Sequence, residues 1–125
     1  MKKPIRSEHE EQVLLFKMID LYSSRYPGLL NAFAIPNGGK RNIVTAKKLK
    51  AEGVKAGYPD VGIDIAARGY HGLRIELKRS DGGKGLSADQ KIWRERLLMS
   101  GYCFRMASGW QEAWEIIKWY FNIKE

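Results

Sequence analysis

Two acidic residues and a lysine stand in this sequence in a pattern that suits metal-assisted hydrolysis. Asp60 comes first, and further along Glu76 and Lys78 stand on either side of Leu77. Apolar and polar residues alternate over 73–78, which predicts a strand with Glu76 and Lys78 on one face. Two carboxylates beside an amine can hold a hard divalent cation and assist hydrolysis of a phosphodiester. The pattern favours a small nuclease.

A predicted hairpin brings the two carboxylates together. Val61 to Ala67 and Leu73 to Lys78 are predicted strands, separated by a glycine-bearing turn. Asp60 precedes the first strand and Glu76 lies near the end of the second, so pairing of the strands sets them side by side. Mg²⁺ or Mn²⁺ is the expected cofactor, because each keeps part of its hydration shell, and the backbone carbonyl of Leu77 is a further expected ligand.

Lys78 has three roles to choose from at such a site. It can orient the attacking water, deprotonate it, or stabilise the charge that builds on the phosphate. Two neighbouring carboxylates favour its ammonium form, so the orienting and electrostatic roles are preferred. The alternative is an ordinary salt bridge across a strand, because the triplet Glu76-Leu77-Lys78 is of a kind that is common by chance.

Composition limits the class of protein. The chain has 125 residues and a net charge of +8, which predicts a single globular domain, 1–125, with a polyanionic partner. The single cysteine, Cys103, excludes an internal disulfide, and no Cys/His cluster indicates zinc. No apolar run reaches membrane-spanning length and no signal peptide is evident, so we expect a cytoplasmic protein without membrane contact.

Local signals predict an α/β fold with the element order α-β-α-β-β-α-β-α. Two capping boxes, Ser7 with Glu10 and Ser87 with Gln90, mark helix starts, and glycines mark several ends. A mixed sheet with helices on its faces would bury these elements. Besides the hairpin strands, the predicted elements are a helix to Tyr22, strand Ala32–Ile35, helix Asn42–Glu52, helix Ser87–Ser100, strand Tyr102–Ala107 and helix Gln111–Asn122.

Several short motifs, in order, resemble one nuclease family. Pro59-Asp60 with Glu76-Leu77-Lys78 is similar to the PD-(D/E)XK nuclease superfamily, and the wider run resembles its VRR-NUC (virus-type replication-repair nuclease) family. The further matching pieces span most of the chain: Glu8 with Gln12, Pro36-Asn37-Gly38-Gly39-Lys40-Arg41, 53–60, Ser87 with Gln90 and Trp93, and Gly101-Tyr102.

The resemblance implies a restriction-endonuclease-like fold, in which a central mixed β-sheet is flanked by α-helices. It also implies metal-dependent cleavage of DNA with a preference for branched structures. In much larger repair nucleases the family domain lies at the end of the chain. The stand-alone members of phages and bacteria are associated with homodimers that cut four-way (Holliday) junctions. Two rivals stay open: a monomeric nuclease acting on flaps, nicks or single-stranded DNA, and a basic nucleic-acid-binding module without catalysis.

Two residues are expected to support the site. Glu8 lies with Gln12 on the helix face that continues into the apolar positions, and the resemblance places an acid there, as a catalytic and possible metal-binding residue. The alternative is that Glu8 only complements the helix dipole, and Glu11 is then the fallback acid. Gln90 completes its capping box, and the resemblance also places it beside the active site.

A basic track is expected to contact DNA. Gly38 and Gly39 let backbone N–H groups approach phosphate, and two cations follow them. The lysines of the next helix, 47, 48 and 50, are each more typical of a solvated face. The candidate DNA-binding residues are Asn37, Gly38, Gly39, Lys40, Arg41, Lys55 and Lys84.

The last helix is predicted to carry both core and interface. Trp110, Trp114, Ile117 and Phe121 recur at helical spacing and predict an apolar stripe. Trp119 and Tyr120 fall off this stripe, and exposed aromatic residues mark interfaces, so this helix is the expected dimer surface.

Overall fold

A computed structural model describes residues 4–36 and 43–125. Within these ranges the predicted alternation of helices and strands is confirmed. The elements in chain order are α1 (Glu8–Tyr22), a short 3₁₀ helix (Pro27–Asn31), β1 (Ala32–Ala34), α2 (Ile43–Ala51), β2 (Val61–Ile63), β3 (Leu73–Lys78), α3 (Ala88–Met99), β4 (Cys103–Ser108) and α4 (Trp110–Phe121).

The four strands form one mixed sheet in the order β1-β2-β3-β4. β1, β2 and β3 are antiparallel neighbours, and β4 lies parallel to β3. Because parallel neighbours need a crossover connection, α3 bridges the end of β3 and the start of β4. The predicted mixed sheet flanked by helices is confirmed.

α1 and α4 cover the apolar face of the sheet. Leu73, Ile75 and Leu77 of β3 point into this face and are almost fully buried with Leu15 and Ile19 of α1. The alternation of β3 therefore positions its polar partners on the opposite face. That second face is also covered, because every residue of β3 is buried and α3 lies over it.

Both predicted capping boxes are present. Ser7 accepts a hydrogen bond from the Glu10 N–H, and Ser87 accepts one from the Gln90 N–H, each with the reciprocal side-chain bond. These caps fix where α1 and α3 begin, and each helix start lies beside the polar end of β3. No helix in the described residues is long and apolar enough to cross a membrane.

Two predictions about the elements were wrong. β2 ends at Ile63 and not at Ala67, because its neighbour β1 starts at Ala32, which pairs with Ile63 and directly follows the 3₁₀ helix. Tyr120 is 2% exposed and belongs to the core, and its hydroxyl donates to the Ile65 carbonyl at 2.6 Å. Trp119, in contrast, is 39% exposed.

Candidate active site

The pairing of β2 with β3 sets Asp60 beside Glu76. Val61 pairs with Ile75, so the register continued by one residue places Asp60 opposite Glu76. The Asp60 carbonyl accepts a hydrogen bond from the Ile35 N–H at 2.7 Å, which extends the β1–β2 ladder. Its carboxylate Oδ2 accepts from the Leu77 N–H at 3.0 Å. Backbone pairing thus anchors Asp60 at the mouth of the hairpin.

Glu8 completes a group of three carboxylates. One carboxylate oxygen from each of Glu8, Asp60 and Glu76 lies within 4.8 Å of the other two. Glu8 occupies the first position of α1 and is exposed, whereas Glu76 is 2% exposed. The N-terminal end of α1 therefore places Glu8 beside the other two acids. We call Glu8, Asp60 and Glu76 the acidic cluster.

Burial, more than neighbouring charge, sets the ionisation of Glu76. Burial is the largest of the causes that raise the pKa of Glu76 to about 9; a hydrogen bond to Asp60 and the charge of Asp60 act in the same direction, and Lys78 acts in the opposite direction. The protonated form of Glu76 is therefore favoured at pH 7 when no metal ion is bound. A buried carboxyl in this state can exchange its proton for a cation.

The donor set fits a hard divalent cation. All three members of the acidic cluster offer oxygen, the ligand atom that Mg²⁺ and Mn²⁺ prefer. Glu8 and Asp60 also line a cavity of about 450 Å³, with room for coordinating water and a phosphate. Leu77, whose carbonyl is the expected additional ligand, lines the same cavity.

Lys78 lies between the acidic cluster and α3. Its Nζ is 3.8 Å from Glu76 Oε2 and donates to Gln90 Oε1 at 3.1 Å. The same Gln90 oxygen accepts from the Ser87 N–H at 2.8 Å. Gln90 therefore serves in its capping box and also holds the lysine, and a part in catalysis stays a prediction.

If the site cleaves DNA, as the sequence resemblance implies, replacing Lys78 with methionine is expected to slow cleavage by about 10²- to 10⁴-fold, because the ammonium beside the acidic cluster is lost while the carboxylates stay. Single-turnover cleavage measures the rate, and Mn²⁺ titration shows whether cation binding is retained. Lys91→Met, on the exposed surface of α3, is the matched control. Cleavage by the Lys78 variant at the wild-type rate would show that this lysine takes no part in the reaction.

A second, basic cavity adjoins the first. It has a volume of about 550 Å³, and Glu8 lines both cavities. Lys78, Arg79 and Lys84 contribute cations to it, and Gly83 and Gly85 expose backbone. Lys84 thus lies at the rim of the site, as the sequence predicts for a DNA contact.

The other expected DNA contacts are further away or outside the described part of the chain. Lys55 lines a separate, mostly apolar cavity of about 290 Å³ that shares Ile35 and Pro36 with the acidic one. Lys47, Lys48 and Lys50 are exposed on α2. Asn37, Gly38, Gly39, Lys40 and Arg41 lie outside the described residues.

Glu11, the fallback acid, has a different environment from Glu8. It is fully buried, and its Oε1 accepts from the Trp110 N–H at 3.3 Å and pairs with Arg6 at 3.3 Å. The cap residue of α4, Gly109, has no side chain to bond the helix start, so Glu11 supplies that acceptor from α1. Sequence reasoning missed this role because α1 and α4 are far apart along the chain.

Glu11→Ala is expected to lower the free energy of unfolding by about 1–3 kcal/mol, since α4 loses a buried cap and Arg6 its partner. Urea unfolding measures this loss, and Glu112→Ala, an exposed acid of the first turn of α4, is the control. Cleavage per folded molecule should be unchanged. A Glu11→Ala variant that is as stable as wild type but inactive would show that Glu11 belongs to the active site.

A mixed sheet flanked by helices, with acids and a lysine at the open end of its central hairpin, defines an α/β domain of the nuclease type. The chain is similar to a solved structure described as a VRR_NUC domain protein, at 32% sequence identity and a TM-score of 0.77, over 100% of this chain and 94% of that one. It therefore belongs to the VRR-NUC domain family. The family resemblance of the sequence is thereby confirmed.

Neither a family model nor a curated protein matches this chain in sequence.

Proposed function

We propose that this protein is a metal-dependent, structure-selective DNA endonuclease, and that its preferred substrate is a four-way junction cut by a homodimer. The observation that carries the proposal is the acidic cluster with Lys78 beside it. The family is one of nuclease domains, which supports hydrolysis of a phosphodiester bond.

Each residue of the site has a distinct task in this proposal. Glu8, Asp60 and Glu76 would hold Mg²⁺ or Mn²⁺, with the Leu77 carbonyl as a further ligand. The bound cation would supply Lewis-acid stabilisation of the phosphate and of the attacking water. Lys78, held by Gln90 at 3.1 Å, orients that water and offsets charge on the phosphate oxygens in the transition state.

The two adjoining cavities support a strand of DNA as the substrate. The acidic cavity would receive the scissile phosphate, and the basic one a neighbouring phosphate of the same strand, since Lys78, Arg79 and Lys84 line it. A net charge of +8 adds a long-range attraction for the polyanion. Lys55 and the segment 37–41 remain proposed contacts further along the DNA.

Assembly as a homodimer follows from the proposed substrate. The described part of each chain offers one acidic cluster, and two opposed cuts in a junction require two sites related by a two-fold axis. The exposed indole of Trp119 on α4 marks the face proposed for that contact. A monomer acting on flaps, nicks or single strands is the alternative, and a binding module without catalysis is disfavoured by the acidic cluster.

The substrate is tested with an end-labelled four-way junction, a flap, a single strand and a duplex of matched sequence, each with Mg²⁺, Mn²⁺ or EDTA. Native mass spectrometry of the protein is measured in parallel. We expect paired, metal-dependent nicks in the junction and a dimer. Equal cutting of all substrates by a monomer would remove the junction proposal and keep the nuclease, whereas binding without cutting in either metal would remove the nuclease.

A further inference from the structure

We propose that Arg74 is a positioning residue of the candidate site, which acts through Tyr58 to fix the separation of Asp60 and Glu76. This inference rests on the proposed function, because its consequence is the affinity of the acidic cluster for a divalent cation. Among the described residues, Arg74 is not one of those that line the acidic cavity, and its hydrogen bonds go to Tyr58, Leu73 and Asp64. Its effect on the site is therefore indirect.

Arg74 lies one row away from the acidic cluster on the same face of the sheet. In this row Phe33 pairs with Gly62, Gly62 with Arg74, and Arg74 with Phe104. The adjacent row holds Glu76, which is two residues along β3. Side chains two residues apart on a strand point to the same face, so Arg74 and Glu76 are direct neighbours.

The guanidinium of Arg74 is held from every side. Nε donates to the Tyr58 hydroxyl at 3.0 Å, a terminal nitrogen pairs with Asp64 at 3.0 Å, and another donates to the Leu73 carbonyl. The rings of Phe33 and Tyr102 lie 5.1 and 4.8 Å from its central carbon.

Taking a charged guanidinium out of water is unfavourable unless the charge is paired and hydrogen-bonded. Arg74 is 6% exposed, and its bonds to Tyr58, Asp64 and the Leu73 carbonyl supply that compensation. Gly62 allows the packing, because a Cβ there would lie 2.4 Å from Phe33 Cζ. A buried arginine with directed bonds is a rigid anchor.

Tyr58 links Arg74 to the segment that holds Asp60. It stands two residues before Asp60, and its ring packs edge-on against Trp93 of α3, with 5.1 Å between centroids. The side-chain bonds that link the segment 58–60 to β3 include Tyr58 to Arg74 and Asp60 to the Leu77 N–H.

The Asp60 carboxylate is itself a proposed ligand group and would be shared between the Leu77 N–H and a bound cation. The bond between Tyr58 and Arg74 involves no proposed ligand group. Mg²⁺ demands near-ideal octahedral geometry, so a small displacement of Asp60 weakens its binding. The pair of Arg74 and Tyr58, which we call the arginine tie, keeps Asp60 in register with Glu76.

Tyr58→Phe tests the arginine tie, because it removes the hydroxyl and keeps the ring against Trp93. The concentration of Mg²⁺ that gives half-maximal cleavage at saturating DNA should rise on the order of tenfold, as for other partners that orient ligands. The Mn²⁺ dissociation constant, from calorimetry without DNA, should rise in parallel. The rate at saturating Mg²⁺ should stay near that of wild type. Arg74→Lys keeps the positive charge but loses the planar guanidinium with its several donors, and it should weaken Mg²⁺ and Mn²⁺ binding to a similar extent.

Tyr120→Phe is the matched control, because it also removes a buried tyrosine hydroxyl bond, that to the Ile65 carbonyl. It should lower thermal stability without changing either metal measurement. Unchanged Mg²⁺ and Mn²⁺ dependence in folded Tyr58→Phe would overturn the arginine tie, and so would a lower saturating rate with unchanged Mn²⁺ affinity. Wild-type protein that neither binds Mn²⁺ nor cuts DNA would instead contradict the proposed function, before any variant is compared.

Discussion

Exchanging Glu76 for glutamine is expected to abolish DNA cleavage while leaving the protein folded. Glu76 is the most buried member of the acidic cluster, at 2% exposure, and its carboxylate is proposed to hold the cation between Asp60 and Glu8. A neutral amide of the same shape removes that charge, so the single-turnover rate in Mg²⁺ should fall on the order of a thousandfold or more.

Stability separates this outcome from simple unfolding. The buried carboxyl of Glu76 has its pKa raised to about 9 by burial and by Asp60, so its charged form is disfavoured in the folded chain. Without metal, the Glu76→Gln protein should therefore be at least as stable as wild type at pH 8, as judged by thermal unfolding. It should also bind the DNA junction in EDTA like wild type, because its basic surface is unchanged.

The control is Glu95→Gln, which removes an exposed acid of α3 that pairs with Arg94. That variant should cut DNA at the wild-type rate. Cleavage by Glu76→Gln within a fewfold of wild type would contradict the role of Glu76. Loss of folding in Glu76→Gln would contradict the claim that the charged form of Glu76 destabilises the folded, metal-free protein.

The second large effect is a fall in the stability of the metal-free protein as the pH rises. In the unfolded chain the Glu76 carboxyl releases its proton near the ordinary value of 4.5, and in the folded chain near 9. Between these values the folded state binds the extra proton, so stability is greatest at the acid end and is lost toward the alkaline end. The contribution of this one group is at most about 1.4 kcal/mol per pH unit.

Urea unfolding at pH 5, 7 and 8.5, in EDTA or in Mg²⁺, measures this dependence. The difference between wild type and Glu76→Gln isolates the contribution of Glu76 from those of other groups. We expect the difference to widen with pH in EDTA and to shrink or reverse in Mg²⁺, since the cation replaces the proton. Parallel pH profiles of the two proteins in EDTA would show that the Glu76 carboxyl is not perturbed.

Sequence patterns located the parts of the fold that local chemistry dictates. β3 was predicted with its observed bounds because apolar and polar residues alternate over 73–78, and α1 and α3 begin at the capping boxes of Ser7 and Ser87. The closeness of Asp60 and Glu76 follows from the same reasoning, since a hairpin between β2 and β3 leaves few registers.

Features that depend on distant segments could not be read in this way. Tyr120 falls off the apolar stripe that the sequence predicts for α4, and only the fold brings the Ile65 carbonyl to its hydroxyl. Glu11 caps α4 from α1, a partnership across the whole chain. Arg74 was merely a polar position in an alternating strand, whereas its two aromatic neighbours and Tyr58 arrive from three other segments.

Calorimetric titration of Mn²⁺ into the metal-free protein at pH 7, in two buffers with different ionisation enthalpies, tests the acidic cluster most directly. We expect Mn²⁺ to bind wild type with release of about one proton, because the Glu76 carboxyl carries a proton at this pH until the cation displaces it. Binding should be lost in Glu76→Gln. Absence of Mn²⁺ binding to wild type at millimolar concentration, together with cleavage of DNA in EDTA, would contradict a metal-dependent site.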